Sequence, residues 1–258
     1  VPTRDGRFDS EGAFRIDGVP GTGSRIVLDY KGAGGAKTGK LLPTGNPSDT
    51  MKTPSGVFTV SLVDAANPSV FVPASEVGLT GMELPDELLT NTRAMRVLEE
   101  IRSHACEWLG LVHDWRQATS QVPSLPKVAA VAPPMSYRTV TGSTIRADEI
   151  DVTARIMSMQ KPHRAYAVSG AICTSTAAAI AGTVVAEVAG TGNLPVFRIG
   201  HPSGSLECEV GVVPEGSGYR LTRAATSRTA RRILMGTAFV SGTKLAALRQ
   251  LSKEMNKN

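Results

Sequence analysis

Hydrophobic and polar residues alternate in short runs along most of the chain, and helical spacing replaces that alternation in only a few places. Residues 7–30 alternate and break at glycine-rich turns, which predicts strands joined by tight loops. The stretch GAGGAKTGKLLPTGNPSDT reads as a loop region and a hinge between two structural units. Two β-branched runs follow, on either side of Asp64-Ala65-Ala66-Asn67-Pro68. From Pro85 the spacing of Leu88, Met95, Leu98 and Ile101, with Asp86 and Glu87 in the first turn, predicts one amphipathic helix running to about Leu111. KVAAVAPP reads as a short buried strand, and EIDVTARIMSM as another that Pro162 stops. LPVFRIGHPSGSLECEVGVVPEG reads as a hairpin-rich strand set, RTARRILMGTAFV as a last strand or short helix, and TKLAALRQLSKEMNKN as a polar helical end. This mixture predicts an α+β fold, with sheets curling around a few helices.

One segment departs from the rest. Between Arg164 and Glu187 there is no charged side chain, and the residues are small. A membrane span needs about 20 apolar residues, but Ser169, Thr174, Ser175, Thr176 and Gly182 dilute this run, and Leu and Phe are absent from it. The pattern predicts instead a helix over 164–181, buried on all sides inside a curved sheet. The first N–H groups of a helix lack internal partners and carry the positive end of its dipole, so its start favours an anion. Ser158, Lys161 and His163 precede this start, and Ser169 and Gly170 fall within its first turns. Two readings stand: a carboxylate or phosphate site, or a core helix with an ordinary cap and His163 as a satisfied loop histidine.

Composition narrows the class. At 258 residues, with 41% hydrophobic and 20% charged residues, the chain suits one large domain or two modest lobes. Aromatics at 5% leave the core to Ala, Val, Leu, Ile and Met. The net charge of +5 suits anionic small molecules, and the arginines from Arg220 to Arg232 lack the interleaved aromatics of a nucleic-acid stripe. Cys106, Cys173 and Cys208 lie far apart and form no CxxC, which fits a reducing compartment and neither a disulfide framework nor a zinc site. No signal-peptide or stop-transfer pattern is seen, so a cytoplasmic protein is expected. The chain opens at Val1 with strand-like sequence, which leads us to expect a processed or partial product.

Three loops set polar groups among Gly and Pro: Thr44-Gly45-Asn46, Asp64 with Asn67, and His201 with Ser203 and Gly204. Each is a turn by composition, and their recurrence at strand ends also fits a shared pocket. Gly39-Lys40 is followed by Leu41, so the phosphate-loop spacing is not met, and no HExxH or GxSxG occurs.

Taken in order, IDGVPGTGSRI, GAKTGKLLPTGNPSD, DAANPSVFVPASEVGLTG, PKVAAVAPP, MSMQKPHRAYAVSGAICT, IGHPSG and RTARR resemble the PrpF family over nearly all of residues 11–240. The resemblance implies a diaminopimelate-epimerase-like fold of two lobes, each a curled sheet around a central helix, with the active site between them. It implies a cofactor-independent and metal-free isomerase that moves a proton across the allylic system of a small unsaturated di- or tricarboxylic acid, such as methylaconitate. By the same match Asn67, Ser158, His163, Ser169, Gly170, His201, Ser203 and Gly204 are candidates for holding substrate carboxylates. Family members usually carry an earlier segment with Thr-Ser-Lys and Asn-Cys-Gly-Asn, the source of the proposed acid/base Lys and Cys. Neither occurs in these 258 residues, so no catalytic residue is assigned.

We therefore expect residues 1–45 to be the remnant of a truncated first lobe. Residues 46–258 are expected to form the second lobe, with an added tail from about Gly242. At Ala66 relatives often have Gly, and at Ser169 they often have Thr. The alternative is a non-catalytic carboxylate-binding or accessory protein. An aconitase-like dehydratase and further copies of the chain are the expected partners, with neither nucleic acid nor membrane among them.

Overall fold

The computed structural model describes residues 1–245 together with Arg249 and Ser252. Its strands are β1 Ile26–Asp29, β2 Asp49–Thr53, β3 Gly56–Ala65, β4 Asn67–Pro73, β5 Lys127–Ala132, β6 Val152–Ser158, β7 Lys161–Pro162, β8 Val196–His201, β9 Gly204–Glu215 and β10 Gly218–Arg228. The main helices are α1 Pro85–Thr90, α2 Thr92–Trp108, α3 Val168–Ala178 and α4 Val184–Ala189. A mixed sheet runs β1-β10-β9-β8-β6-β5-β4-β3-β2, with β7 folded back on β6. Most neighbours are antiparallel; β4 with β5 and β6 with β8 are parallel. A separate small hairpin joins Thr3–Arg4 to Arg7–Phe8.

The central strands are buried on both faces, and their period of two sorts them between two cores. Phe71, Ala129 and Val131 pack with the α3 side. Val70, Val72, Val128 and Ala130 pack on the opposite face, with Leu98 and Ile101 of α2. Strands from both halves of the sheet reach α3, so the sheet curls around it. Nine residues of α3, Gly170 to Ala178, are buried, which accounts for its lack of charge. Small side chains let it lie close: a Cβ on Gly170 would overlap Ile156 Cδ1 of β6. Thr174 and Thr176 satisfy their hydroxyls on the helix's own carbonyls, Gly170 O at 2.8 Å and Ile172 O at 2.7 Å.

Several expectations need correction. The helix expected over 164–181 starts four residues later, at Val168, because Pro162 and the contacts of His163 hold the preceding chain extended. The single helix expected from Pro85 is two, broken at Asn91, whose side chain accepts from Ala94 N at 3.1 Å and caps α2. RTARRILMGTAFV is neither strand nor helix: β10 ends at Arg228, and residues 229–241 carry no regular structure. Most of the polar helical end lies outside the described residues.

The glycine-rich loop before β2 is gathered around one buried carboxylate. Asp64 Oδ2 accepts from Lys37 N at 2.8 Å, Thr38 N at 2.7 Å and Thr38 Oγ1 at 3.0 Å. These N–H groups are occupied from within the protein and are not offered to a phosphate. Among the described residues no helix is long and apolar enough to cross a membrane.

Candidate carboxylate site at the start of the sheathed helix

The start of α3 is built without a cap. Ala167, the residue at the N-cap, has an extended backbone (φ −67°, ψ 131°) and no side chain that can accept, and the first turn holds no acid. Ahead of it, the His163 N–H donates to Ile156 O at 2.9 Å, and the Ala165 N–H donates to His163 Nδ1 at 3.1 Å. An accepting Nδ1 leaves the ring's proton on Nε2. Burial lowers the His163 pKa, and Lys127 adds to that effect.

The turn between β8 and β9 reaches this same stretch. Ser203 Oγ donates to Arg164 O at 2.6 Å, and the Ser203 N–H donates to His201 Nδ1 at 3.2 Å. His201 is buried, and that desolvation depresses its pKa to about 4, so the ring is neutral. Behind the turn, Tyr137 Oη donates to His201 O at 3.0 Å and Gly204 O at 2.6 Å. The Arg155 guanidinium lies over the Tyr137 ring at 5.1 Å. Its Nε donates to Glu83 O at 2.6 Å, its Nη2 has no partner, and burial lowers its pKa to about 10. In front of the turn, Asp17 Oδ2 accepts from Ser205 N at 2.8 Å and Ser205 Oγ at 3.2 Å.

A cavity of about 290 Å³ lies between these pieces, with Asp17, Tyr166, His201, Ser203, Ser205 and Arg228 among its lining. Arg228 has no acidic partner within ion-pair distance among the described residues. Such a space offers a small acid one cation, serine hydroxyls, a neutral histidine and a helix start just behind, with Asp17 as a carboxylate of its own.

The eight residues put forward from the sequence are not gathered at one point. His201 and Ser203 line the cavity. Gly204 sits in the same turn, and His163 joins it through Arg164 and Ala165. Ser169 and Gly170 occupy the first turn of α3, directly after Tyr166 and Ala167, and the need to approach Ile156 accounts for Gly170 without a ligand. Ser158 accepts from Lys127 Nζ at 3.3 Å, away from the cavity lining. Asn67 meets α3 further along, where its carbonyl accepts from Cys173 Sγ at 3.1 Å.

Nothing in the sequence marks Asp17, Tyr137, Arg155, Ser205 and Arg228 as site residues. Asp17 stands in an Asp-Gly turn signature, and Arg228 in a basic stretch that reads as a solvated face. Two other loops are satisfied internally: Thr44 Oγ1 and Asn46 Nδ2 both bond Asp49, at 2.6 and 2.7 Å. Cys173 is enclosed, and burial raises its thiol to about 12. No group of three or more potential metal-ligating side chains occurs among the described residues.

The fold and site together define an α+β protein with a cavity at the start of a sheet-wrapped helix, lined by one guanidinium, one carboxylate and several hydroxyls. The family described as PrpF protein matches residues 1–241, and the chain belongs to that family. It is 41% identical over 247 residues to the 3-methylitaconate isomerase of Eubacterium barkeri, covering 95% of this chain and 64% of that protein. It is 35% identical over 240 residues to a 2-methyl-aconitate isomerase of Shewanella oneidensis, covering 92% and 60%. A crystal structure of methylitaconate-delta-isomerase superposes with a TM-score of 0.83 at 37% identity, covering 94% of this chain and 65% of that one. The chain thus spans a little under two thirds of the length of these relatives.

Proposed function

We propose that the chain acts as a PrpF-type isomerase on a small unsaturated di- or tricarboxylic acid of the methylaconitate or methylitaconate kind, moving a proton across its allylic system. Family membership and the activities named for its relatives support this reading. The observation that carries it is the uncapped start of α3, with Ala165 and Tyr166 ahead of it lining a cavity that also presents Arg228, His201 and Ser203.

Removing a proton beside an unsaturated carboxylate builds charge on the carboxylate and the adjoining carbons. Fixed donors in a partly dry site lower that barrier most. With Nδ1 engaged by Ser203, His201 offers an uncharged Nε2–H, which suits orientation of an oxygen rather than removal of a proton. No lysine or cysteine lines the cavity, so its residues are assigned binding and polarisation, and the proton-transfer groups are left unassigned. In this reading the chain corresponds to one curled-sheet lobe of a diaminopimelate-epimerase-like pair, with the substrate held at the face where the lobes meet.

That same lining favours a second reading, carboxylate binding without turnover. Incubating the purified chain with methylitaconate and methylaconitate in D₂O separates the two. Ultraviolet absorbance reports isomerisation, and ¹H NMR reports deuterium entering the allylic positions. Isomerisation or deuterium entry above buffer supports the isomerase. Heat of binding in calorimetry with neither signal leaves carboxylate binding alone. Absence of all three signals removes both.

A further inference from the structure

The Asp17 carboxylate lines the same cavity as His201, Ser203 and Arg228. It is carried on a tight turn, Ile16 to Val19, closed by the Val19 N–H donating to Ile16 O at 3.0 Å. The turn crosses to a segment 188 residues away and takes both donors of Ser205, the N–H and the hydroxyl. The fit is close: Gly204 has φ 143°, and a Cβ there would overlap the Asp17 side chain. Gly18 packs on Ser203, where an added Cβ would stand 3.0 Å from the Ser203 Cβ.

The loop that carries the turn is closed at its base by Phe14 and Gly23, which exchange hydrogen bonds at 3.1 and 3.0 Å, and its tip is open. Arg15, Gly18, Val19 and Pro20 are exposed, and Ile16 to Val19 form one wall of the cavity that His201, Ser203 and Arg228 line from the other side. The arrangement is a negative group bound to two neutral donors, in the same cavity as a cation with no acidic partner among the described residues.

We propose that the Ser205 N–H and hydroxyl form a carboxylate-binding site that the chain's own Asp17 occupies in the free protein, so that a small dicarboxylate enters by displacing Asp17 from Ser205 while its second carboxylate meets Arg228. This rests on the carboxylate-binding reading above and adds to it an internal competitor. The turn carrying Asp17 is then both wall and latch of the cavity. Binding exchanges one carboxylate for another at Ser205 and gains the pairing with Arg228. The measured affinity is accordingly weaker than the intrinsic one by the fraction of molecules whose latch is open.

Itaconate, a stable unsaturated dicarboxylate, is the probe. Calorimetry compares the wild-type chain with Asp17→Asn, which keeps one acceptor oxygen and the side chain's shape but loses the charge, and with Asp17→Ala. The proposal expects both variants to bind itaconate about tenfold more tightly than wild type, and expects Ser205→Ala to weaken binding in the Asp17→Asn background. Wild-type binding that the Asp17 substitutions leave equal or weaken would make Asp17 a mere positioning residue and overturn the latch, with the carboxylate reading intact. No binding by wild type or either variant would remove the latch and the carboxylate reading together. Hydrogen exchange on the wild-type chain gives an independent measure should a variant misfold. Saturating itaconate is expected to speed exchange at residues 16–19, and unchanged or slower exchange there counts against displacement.

Discussion

The Ala66 N–H donates to Ala33 O at 2.7 Å from a backbone with φ 69°, the left-handed region that ordinarily takes glycine. This one residue turns β3 into β4, pairing Ala65 with Asn67 and pinning the glycine-rich loop to the sheet. A Cβ in this region costs about 1 kcal/mol. Ala66→Gly is therefore expected to stabilise the chain by roughly 1 kcal/mol, less the entropy glycine adds to the unfolded state. Urea unfolding checks the sign, and a destabilised variant would show that the Ala66 methyl contributes packing that outweighs the backbone term.

Gly170→Ala tests the contact between α3 and β6. The added methyl meets Ile156 Cδ1 inside a packed core, and overpacking of this kind costs about 1–3 kcal/mol. Ile156→Val in the same chain should restore part of that loss. A double-mutant cycle reads the coupling, and additive effects would mean the helix moves away from the strand without resistance.

His201 contributes most to the pH dependence of stability, with His104 and His163 shifted in the same direction. Its folded pKa, about 4, lies below the ordinary value of 6.5. Between these values the unfolded chain takes up a proton that the folded chain refuses. Stability should be full above pH 6.5 and fall as the pH drops towards 4, by on the order of 3 kcal/mol. His201→Asn should flatten that slope in denaturant titrations at pH 7 and 5. An unchanged slope would place the titrating group elsewhere.

The segment after β10 exposes Ile233 at 92%, Leu234 at 86% and Phe239 at 99%. An apolar run of this kind drives association. The 258-residue chain is expected to self-associate at micromolar concentration and to bind a hydrophobic dye. Leu234→Ser with Phe239→Ser should reduce both, as read by light scattering and dye fluorescence.

These cases show which features were legible in the sequence. The strands and the sheathed helix were, because alternation and the uncharged run from Ala165 to Ala186 reflect which neighbours each face meets. The break at Asn91 was not: a side chain bonding to Ala94 N decides it, and hydrophobic spacing runs straight across. Residues 229–241 resembled an element because they are apolar, yet they have no neighbouring strand to pair with. At the site, His201 and Ser203 stood out as polar residues in a Gly/Pro turn. Asp17 could not be linked to Ser205, since nothing local in either stretch marks a contact across 188 residues. Arg228 looked like its neighbours in a basic run, whereas Arg220 and Arg223 are ion-paired, to Glu215 and to Glu209 with Asp29.

The pairing of β1 with β10 bears on how the chain is made. Ile26–Asp29 pair with Ala225–Arg228, so this edge strand has no partner until about 200 further residues have been made. At synthesis rates of about 5–20 residues per second, that interval is roughly 10–40 s. For that time the stretch that carries the Asp17 turn and β1 waits without its sheet partner, open to chaperones and proteases alike.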